Sequence, residues 1–205
     1  MREPLFTPGN AFLKGMIIDG QPETLRSARE SAALHRATNL AIESAFSYGI
    51  DFPVGAVALQ GGDIVGRGFA NDTRLGQSVI HAEIMAMLDT RFDVMGAKPD
   101  TLVVTCEPCV QCQDGLSAYH SLKRVVFGLS RAEISAMGLV KPKDEDIFMR
   151  ADRLDLPYEV AQSQDEQLKE VGLTIFNFVS RQPDSGEVSV DCQGLSAALR
   201  RLNEA

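Results

Sequence analysis

The spacing of apolar residues along the chain changes several times between a helical and an extended pattern. Apolar positions three and four residues apart predict helices over residues 29–48, 79–92 and 163–180. Short runs rich in β-branched and aromatic residues predict strands over residues 52–59, 64–70, 101–105, 123–128 and 156–161. Helices that alternate with strands in this way indicate an α/β fold, a three-layer sandwich with helices on both faces of one sheet.

Glycines and capping residues mark the ends of several of these elements. Gly61-Gly62 stands between the first two strands and predicts a hairpin. Ser130, followed three residues later by Glu133, forms a capping-box pattern and predicts the start of a short helix. Gly55 lies inside the first strand, where a glycine serves either close packing of the sheet or close approach of a ligand. The sequence leaves both roles of Gly55 open.

The pattern predicts one domain with an addition at each end. The core spans residues 29–161, and 205 residues with 44% hydrophobic content suit a single globular unit. Residues 1–28 form an N-terminal extension that is too apolar for a free tail, so we expect it to pack on the domain or on a partner subunit. Residues 162–205 form a helical C-terminal elaboration, with a linker over 182–190 and a last helix over 193–203.

The charge of the chain changes the expected partners. The formal net charge is −8 and the pI is about 4.9, whereas proteins that bind nucleic acid usually present a basic patch. No apolar run reaches the length of a membrane span, and the N-terminus lacks the pattern of a secretory signal. Four cysteines, three of them clustered at ligand spacing, indicate a reducing cytoplasm and not a disulfide framework. We therefore expect a cytoplasmic protein without a membrane partner, for which a nucleic-acid partner is disfavoured.

Candidate chemistry is concentrated between His81 and Cys112. Cys109 and Cys112 are three residues apart, so their sulfur atoms share one face of a helix. Pro108 suits a first helical position and predicts that this helix runs over residues 108–121, with both thiols in its first turn. Two thiolates and one imidazole are ligands that zinc accepts, and three protein ligands leave the fourth position open, as in catalytic sites.

The cysteine pair has two alternative roles. A C-x-x-C pair also occurs in redox sites and as half of a structural zinc site. The sequence has no second ligand pair for structural zinc, and a redox pair leaves His81 and Glu83 without a role. A carboxylate such as Glu83 can transfer protons beside a metal. Cys106 is close enough in sequence to be a fourth thiol ligand, but the open position favours a small buried hydrophobe there.

These residues follow the pattern H-x-E…P-C-x-x-C, and the sequence resembles the cytidine deaminase-like superfamily of zinc-dependent deaminases. Residues 53–57, 64–69 and 124–128 are similar to three strands of that superfamily, so the resemblance covers roughly residues 30–140. The guanine deaminase and tRNA adenosine deaminase branches look most similar. The resemblance implies a mixed five-stranded sheet with both metal-bearing helices on one face.

The resemblance also implies the roles of individual residues. It assigns His81, Cys109 and Cys112 to zinc, and Glu83 to proton transfer during catalysis. After Cys112 the family usually has small residues, whereas this chain has Gln113.

Contacts to the substrate are expected from Asn71, Ala82 and Pro108. Counted back from His81, Asn71 stands one residue later than the substrate-binding asparagine of the family. A one-residue shift would restore that role. The alternative is an asparagine that only serves a turn at the strand exit.

The implied reaction is hydrolytic deamination of a free nucleobase, a nucleoside or a related aminated heterocycle, with release of ammonia. A tRNA-specific adenosine deaminase is the alternative, because several stretches also resemble those enzymes. An inactive zinc-stabilised binding protein is a second alternative, which the intact Glu83 disfavours. A homodimer is expected because oligomers are common in the family.

Overall fold

The computed structural model describes residues 22–48, 52–70, 80–93, 96–138, 155–180 and 200. The elements formed by these residues follow the chain in the order α1 (Pro22–Tyr48), β1 (Gly55–Gln60), β2 (Asp63–Phe69), α2 (Ala82–Asp93), β3 (Thr101–Cys106), α3 (Val110–Ser117), β4 (Arg124–Leu129), α4 (Arg131–Ala136), β5 (Glu159–Gln162) and α5 (Glu166–Ser180).

The strands form one mixed sheet in the order β2-β1-β3-β4-β5. β1 pairs antiparallel with both β2 and β3. β3, β4 and β5 run parallel, with Leu102 opposite Val125 and Val125 opposite Val160. The predicted mixed five-stranded sheet is confirmed. The carboxyl end of β3 therefore lies beside the carboxyl end of β4, and the loops that follow these two strands meet at one edge of the sheet.

Helices cover both faces of the sheet because successive strand residues point to opposite sides. Val103 in β3 packs with Leu34 of α1 and Ile175 of α5 in one apolar cluster. Its neighbour Val104 packs in a second cluster with Met87 of α2, and this cluster also includes Leu116 of α3. The predicted three-layer architecture is confirmed, and α2 and α3 share a face.

Glycines allow two helices to approach the sheet closely. A Cβ atom on Gly55 would lie 2.0 Å from the backbone oxygen of Ala37 in α1. A Cβ atom on Gly68 would lie 2.2 Å from the backbone oxygen of Ala82 in α2. Of the two roles that the sequence left open for Gly55, close packing of a helix on the sheet is therefore the one observed.

Turn and cap predictions are also confirmed. Gly61 and Gly62 adopt φ values of +60° and +92° in the turn between β1 and β2. The Ser130 side chain accepts the backbone N–H of Glu133, and the Glu133 carboxylate accepts the backbone N–H of Ser130, which forms the capping box of α4.

The structure corrects several predicted boundaries. α1 begins at Pro22 and not at residue 29, because proline suits the first turn of a helix and the chain remains helical through the polar residues that follow. α2 begins at Ala82, and β5 begins at Glu159 and not at residue 156. α3 begins at Val110 and ends at Ser117, since Cys109 has an extended backbone and caps the helix from outside.

Other predictions fall on parts of the chain that the structure does not describe. These are Asn71, most of the extension over residues 1–28, the linker over 182–190 and, except for residue 200, the helix over 193–203. The division into an extension, a core and an elaboration stays a prediction. No helix within the described ranges combines the length and the apolar character needed to cross a lipid bilayer.

Candidate active site

The candidate site lies where the N-termini of α2 and α3 meet beside the carboxyl end of β3. His81 directly precedes α2, and Glu83 lies in its first turn. Cys109 is the N-cap residue of α3, and Cys112 lies in its first turn. The positive ends of both helix dipoles therefore face this region, where they favour anionic groups such as thiolates and carboxylates.

The predicted metal ligands are brought together. The Nδ1 atom of His81 lies 3.1 Å from the Sγ atom of Cys112 and 3.5 Å from the Sγ atom of Cys109. The ligand atoms of these three residues all lie within 4.8 Å of one another. Ligands of a tetrahedral zinc ion, with bonds of about 2.3 Å to sulfur and 2.0–2.1 Å to nitrogen, lie about 3.5 Å apart. The three side chains could therefore hold a metal ion with little rearrangement.

The two thiols share a proton in a way that suits metal binding. Hydrogen bonding with Cys112 is the main reason why the pKa of Cys109 falls to about 4, and His81 lowers it further. The same hydrogen bond and burial raise the pKa of Cys112 well above its usual range. Cys109 is therefore the more acidic thiol of the pair, and the two together lose a proton more easily than two free cysteines. A divalent cation with a preference for sulfur would replace the protons that remain.

Glu83 lies beside this group, and its carboxyl group forms a side-chain hydrogen bond with Cys112. It is only 4% exposed. Burial raises its pKa to about 7, the negative charge of Cys109 adds to the rise, and His81 and the Cys112 thiol oppose it. A carboxyl group whose pKa lies near neutrality can both accept and release a proton, so Glu83 is suited to general acid–base chemistry.

An ion pair fixes the segment between β3 and Cys109, and sequence reasoning missed it. The Glu107 carboxylate accepts hydrogen bonds from the backbone N–H of Arg131 at 2.9 Å and from its guanidinium at 2.8 Å. The backbone N–H of Glu107 donates to Leu129 at 2.8 Å. Arg131 is 2% exposed. Glu107 and Arg131 are far apart along the chain, so no pattern in the sequence indicated that they form a pair.

Tyr158 was also missed as a neighbour of the site, and Gln113 was noted in the sequence only as a departure from the small residues of the family. The side chain of Gln113 donates to the carbonyl oxygen of Pro108 at 3.3 Å, and its backbone N–H donates to that of Cys109 at 3.0 Å. The hydroxyl of Tyr158 donates to the carbonyl oxygen of Gln113 at 3.0 Å. The family usually has small residues at the position of Gln113, and this difference could have indicated its role near the site. Nothing in the sequence linked Tyr158 to the site.

Cys106 lies near the site but outside the metal-binding group found among the described residues. It is buried, and burial raises the pKa of its thiol well above the usual value. The prediction of a small buried side chain is therefore confirmed.

The predicted substrate contacts have different outcomes. Ala82 is the first residue of α2 and is fully buried. Pro108 is buried, and its carbonyl oxygen accepts the hydrogen bond from Gln113. Asn71 lies outside the described residues. The role of all three in binding a substrate stays a prediction.

Comparisons with known proteins agree with this geometry. Residues 27–129 match the family model of the cytidine and deoxycytidylate deaminase zinc-binding region. That match spans half of the chain and includes His81, Glu83, Cys109 and Cys112. It supports zinc as the cofactor for the group that these side chains form.

Individual relatives cover smaller parts. The tRNA-specific adenosine deaminase of Streptococcus pyogenes serotype M1 is 30% identical over 89 residues, which are 42% of this chain and 52% of that protein. The tRNA-specific adenosine deaminase subunit tad2 of Schizosaccharomyces pombe is 34% identical over 99 residues, which are 47% of this chain and 25% of that protein. The chain thus spans about half, or less, of the length of these relatives.

A solved structure of NE0047 in complex with 2,6-diaminopurine shares the fold, with a TM-score of 0.58 and 16% identity over 82% of this chain and 95% of that one. The resemblance stated from the sequence is confirmed. The chain belongs to the family of the cytidine and deoxycytidylate deaminase zinc-binding region, the zinc-binding deaminases of the cytidine deaminase-like fold.

Proposed function

We propose that this protein is a zinc-dependent hydrolytic deaminase that acts on an aminated nitrogen heterocycle. The observation that carries the proposal is the convergence of His81, Cys109 and Cys112 on one point, with the buried carboxyl group of Glu83 beside them. A structural site would enclose its metal with four protein ligands, whereas three leave room for a reacting molecule.

The proposed roles follow from the chemistry of each group. His81, Cys109 and Cys112 hold zinc, which when bound supplies the Lewis acidity that makes water a nucleophile near neutral pH. Glu83 accepts a proton from the attacking water and delivers protons to the ring nitrogen and to the leaving amine. The ring carbon gains a keto oxygen and loses its amino group as ammonia. The pKa of Glu83 near 7 suits both directions of transfer.

A free nucleobase, a nucleoside or a related heterocycle is the first candidate substrate. The net charge of −8 supports it, because the overall field of the chain repels a polyanion. Adenosine in tRNA is the second candidate and has at least equal support. The two relatives reported above are named tRNA-specific adenosine deaminases. Within this proposal the protein works as a homodimer in the cytoplasm.

A substrate screen tests the reaction and separates the candidates. Ammonia release is measured with guanine, cytosine, adenine and their nucleosides, and inosine formation is measured in a pool of tRNA. Turnover of a small compound that is insensitive to salt supports the first candidate. Inosine in tRNA, with binding that weakens steeply as salt rises, supports the second. A zinc-loaded protein that turns over none of these would favour the inactive binding protein and contradict the proposal.

A further inference from the structure

Gln113 in the first turn of α3 makes three hydrogen bonds and stands directly after a proposed zinc ligand. Its side-chain amide donates to Pro108, its backbone N–H donates to Cys109, and its carbonyl oxygen accepts the hydroxyl of Tyr158. These three hydrogen bonds link both ends of the P-C-x-x-C turn to a residue far along the chain. These hydrogen bonds therefore restrain the turn that carries Cys109 and Cys112.

The same side chain carries a feature that lowers stability. Gln113 is 3% exposed, and its Oε1 atom has no hydrogen-bond partner among the described residues. A buried acceptor without a partner is unfavourable, and such groups in folded proteins call for a functional explanation. An apolar side chain of the same length would avoid this cost but could not donate to Pro108. The side-chain amide of Gln113 therefore maintains the geometry of the turn at a cost in stability.

Tyr158 reaches this turn from outside the segment that matches the family model, which ends at residue 129. It directly precedes β5 and is 7% exposed, with its ring in the apolar cluster that includes Leu116 of α3. Its hydroxyl donates to the carbonyl oxygen of Gln113, the residue that directly follows Cys112. Its hydroxyl therefore lies in the immediate surroundings of the proposed site.

We propose that Gln113 and Tyr158 are positioning residues, which act through hydrogen bonds to hold Cys109 and Cys112 in the geometry that binds zinc. The inference rests on the zinc site of the proposed function. Neither residue touches the metal or the substrate in this account. Loss of either hydrogen bond should loosen the cysteine half of the site while the fold remains.

Two near-isosteric variants test this inference. Tyr158→Phe removes only the hydroxyl, and Gln113→Met keeps the length of the side chain while removing the amide. Ser117→Ala is the matched control, because the Ser117 hydroxyl donates to the neighbouring carbonyl oxygen of Asp114 on the same helix, at 2.6 Å. Each protein is loaded with zinc, and the rate of zinc release to a chromogenic chelator is measured.

We expect both test variants to release zinc about tenfold faster than the wild type or more, because loss of the outer partners of metal ligands typically weakens metal affinity by about 10- to 100-fold. Ser117→Ala should release zinc at the wild-type rate. The visible bands of cobalt-substituted protein should shift in the test variants alone. Unfolding midpoints of the metal-free proteins should not fall for Gln113→Met, because the unpaired acceptor is removed with the amide.

Three results would count against the inference. Release within twofold of the wild type from both test variants would overturn it, as would equal acceleration in Ser117→Ala. A lower unfolding midpoint with unchanged release and unchanged cobalt bands would leave both residues a purely structural role. Wild-type protein that takes up no zinc would instead contradict the proposed function itself, so the two failures are distinguishable.

Discussion

Glu83 is the residue on which the proposed chemistry depends most. Its carboxyl group is buried beside the cysteine pair and has a pKa of about 7. Glu83→Gln keeps the shape of the side chain and removes its ability to carry a proton. We expect zinc content to stay at the wild-type level and turnover to fall by about 10²- to 10⁴-fold, the usual contribution of general acid–base catalysis.

The variant is measured with the substrate found by the screen, and the exposed Glu43→Gln on α1 is the control. Turnover of Glu83→Gln at the wild-type rate would reject Glu83 as the proton carrier. Loss of zinc from Glu83→Gln would show that the residue supports the metal site instead.

The shared proton of the cysteine pair predicts how zinc affinity depends on pH. The pKa of Cys112 is raised and that of Cys109 is lowered, so the pair still holds a proton that zinc must displace near neutral pH. Binding should therefore release protons, and zinc affinity should rise with pH. Calorimetry in two buffers of different ionisation enthalpy measures the number of protons released. Binding without proton release would contradict the assignment.

At the scale of residues, the sequence predicted the groups that lie close together along the chain. His81, Glu83, Cys109 and Cys112 form two short patterns whose chemistry is readable from spacing. Arg131 and Tyr158 could not be predicted, because they reach the site only through the pairing of β3 with β4 and of β4 with β5.

Among the elements, α4 shows how one capping residue links stability to pH. Partial burial favours a higher pKa for Glu133, but hydrogen bonds from Lys169, Ser130 and Gln162 outweigh it and lower the pKa to about 2. The folded pKa lies below the ordinary value of 4.5, so this contribution is fully present above about pH 4.5 and is lost as the pH falls toward 2.

Glu133→Gln should therefore flatten the loss of stability on acidification, because glutamine can still cap the helix but does not titrate. Urea unfolding of both proteins between these pH values measures the difference. An identical pH dependence would show that Glu133 has no part in it.

Two glycines at different contacts between a helix and a strand predict opposite effects of substitution by alanine. Gly68→Ala would place a Cβ atom 2.2 Å from the backbone oxygen of Ala82, so α2 must shift. We expect a loss of about 1–3 kcal/mol in unfolding free energy and weaker zinc binding, since His81 and Glu83 adjoin Ala82. Gly172→Ala in α5 meets Leu129 at an ordinary distance of 3.4 Å and should gain about 0.5–1 kcal/mol.

Chemical denaturation of both variants checks this pair of predictions. Equal stability of Gly68→Ala and the wild type would contradict the close packing of α2 on β2.

At the scale of elements, the existence of most helices and strands was predictable and their boundaries were less so. The periodicity of α1 was clear in its apolar half, but residues 22–29 are mostly polar and gave little apolar signal. The start of α3 was predicted two residues early, because the extended backbone of Cys109 comes from capping geometry and not from helix propensity.

For the whole molecule, periodicity indicated helices and strands in alternation but did not give the order β2-β1-β3-β4-β5. The resemblance implied only that the sheet is mixed and five-stranded, and the order itself was not predicted, since antiparallel and parallel pairing of buried strands leave similar patterns in sequence. The charge of the molecule, by contrast, is fixed by composition. It bears on the substrate through its long-range field and not through the fold.

Zinc content of the purified protein tests the central claim most directly. Elemental analysis should find about one zinc ion per chain in the wild type, as three converging ligands require. Cys106→Ser should retain it, because Cys106 is buried outside the ligand group, whereas Cys112→Ser should lose most of it. Wild-type protein without zinc, or equal loss from Cys106→Ser and Cys112→Ser, would contradict the account.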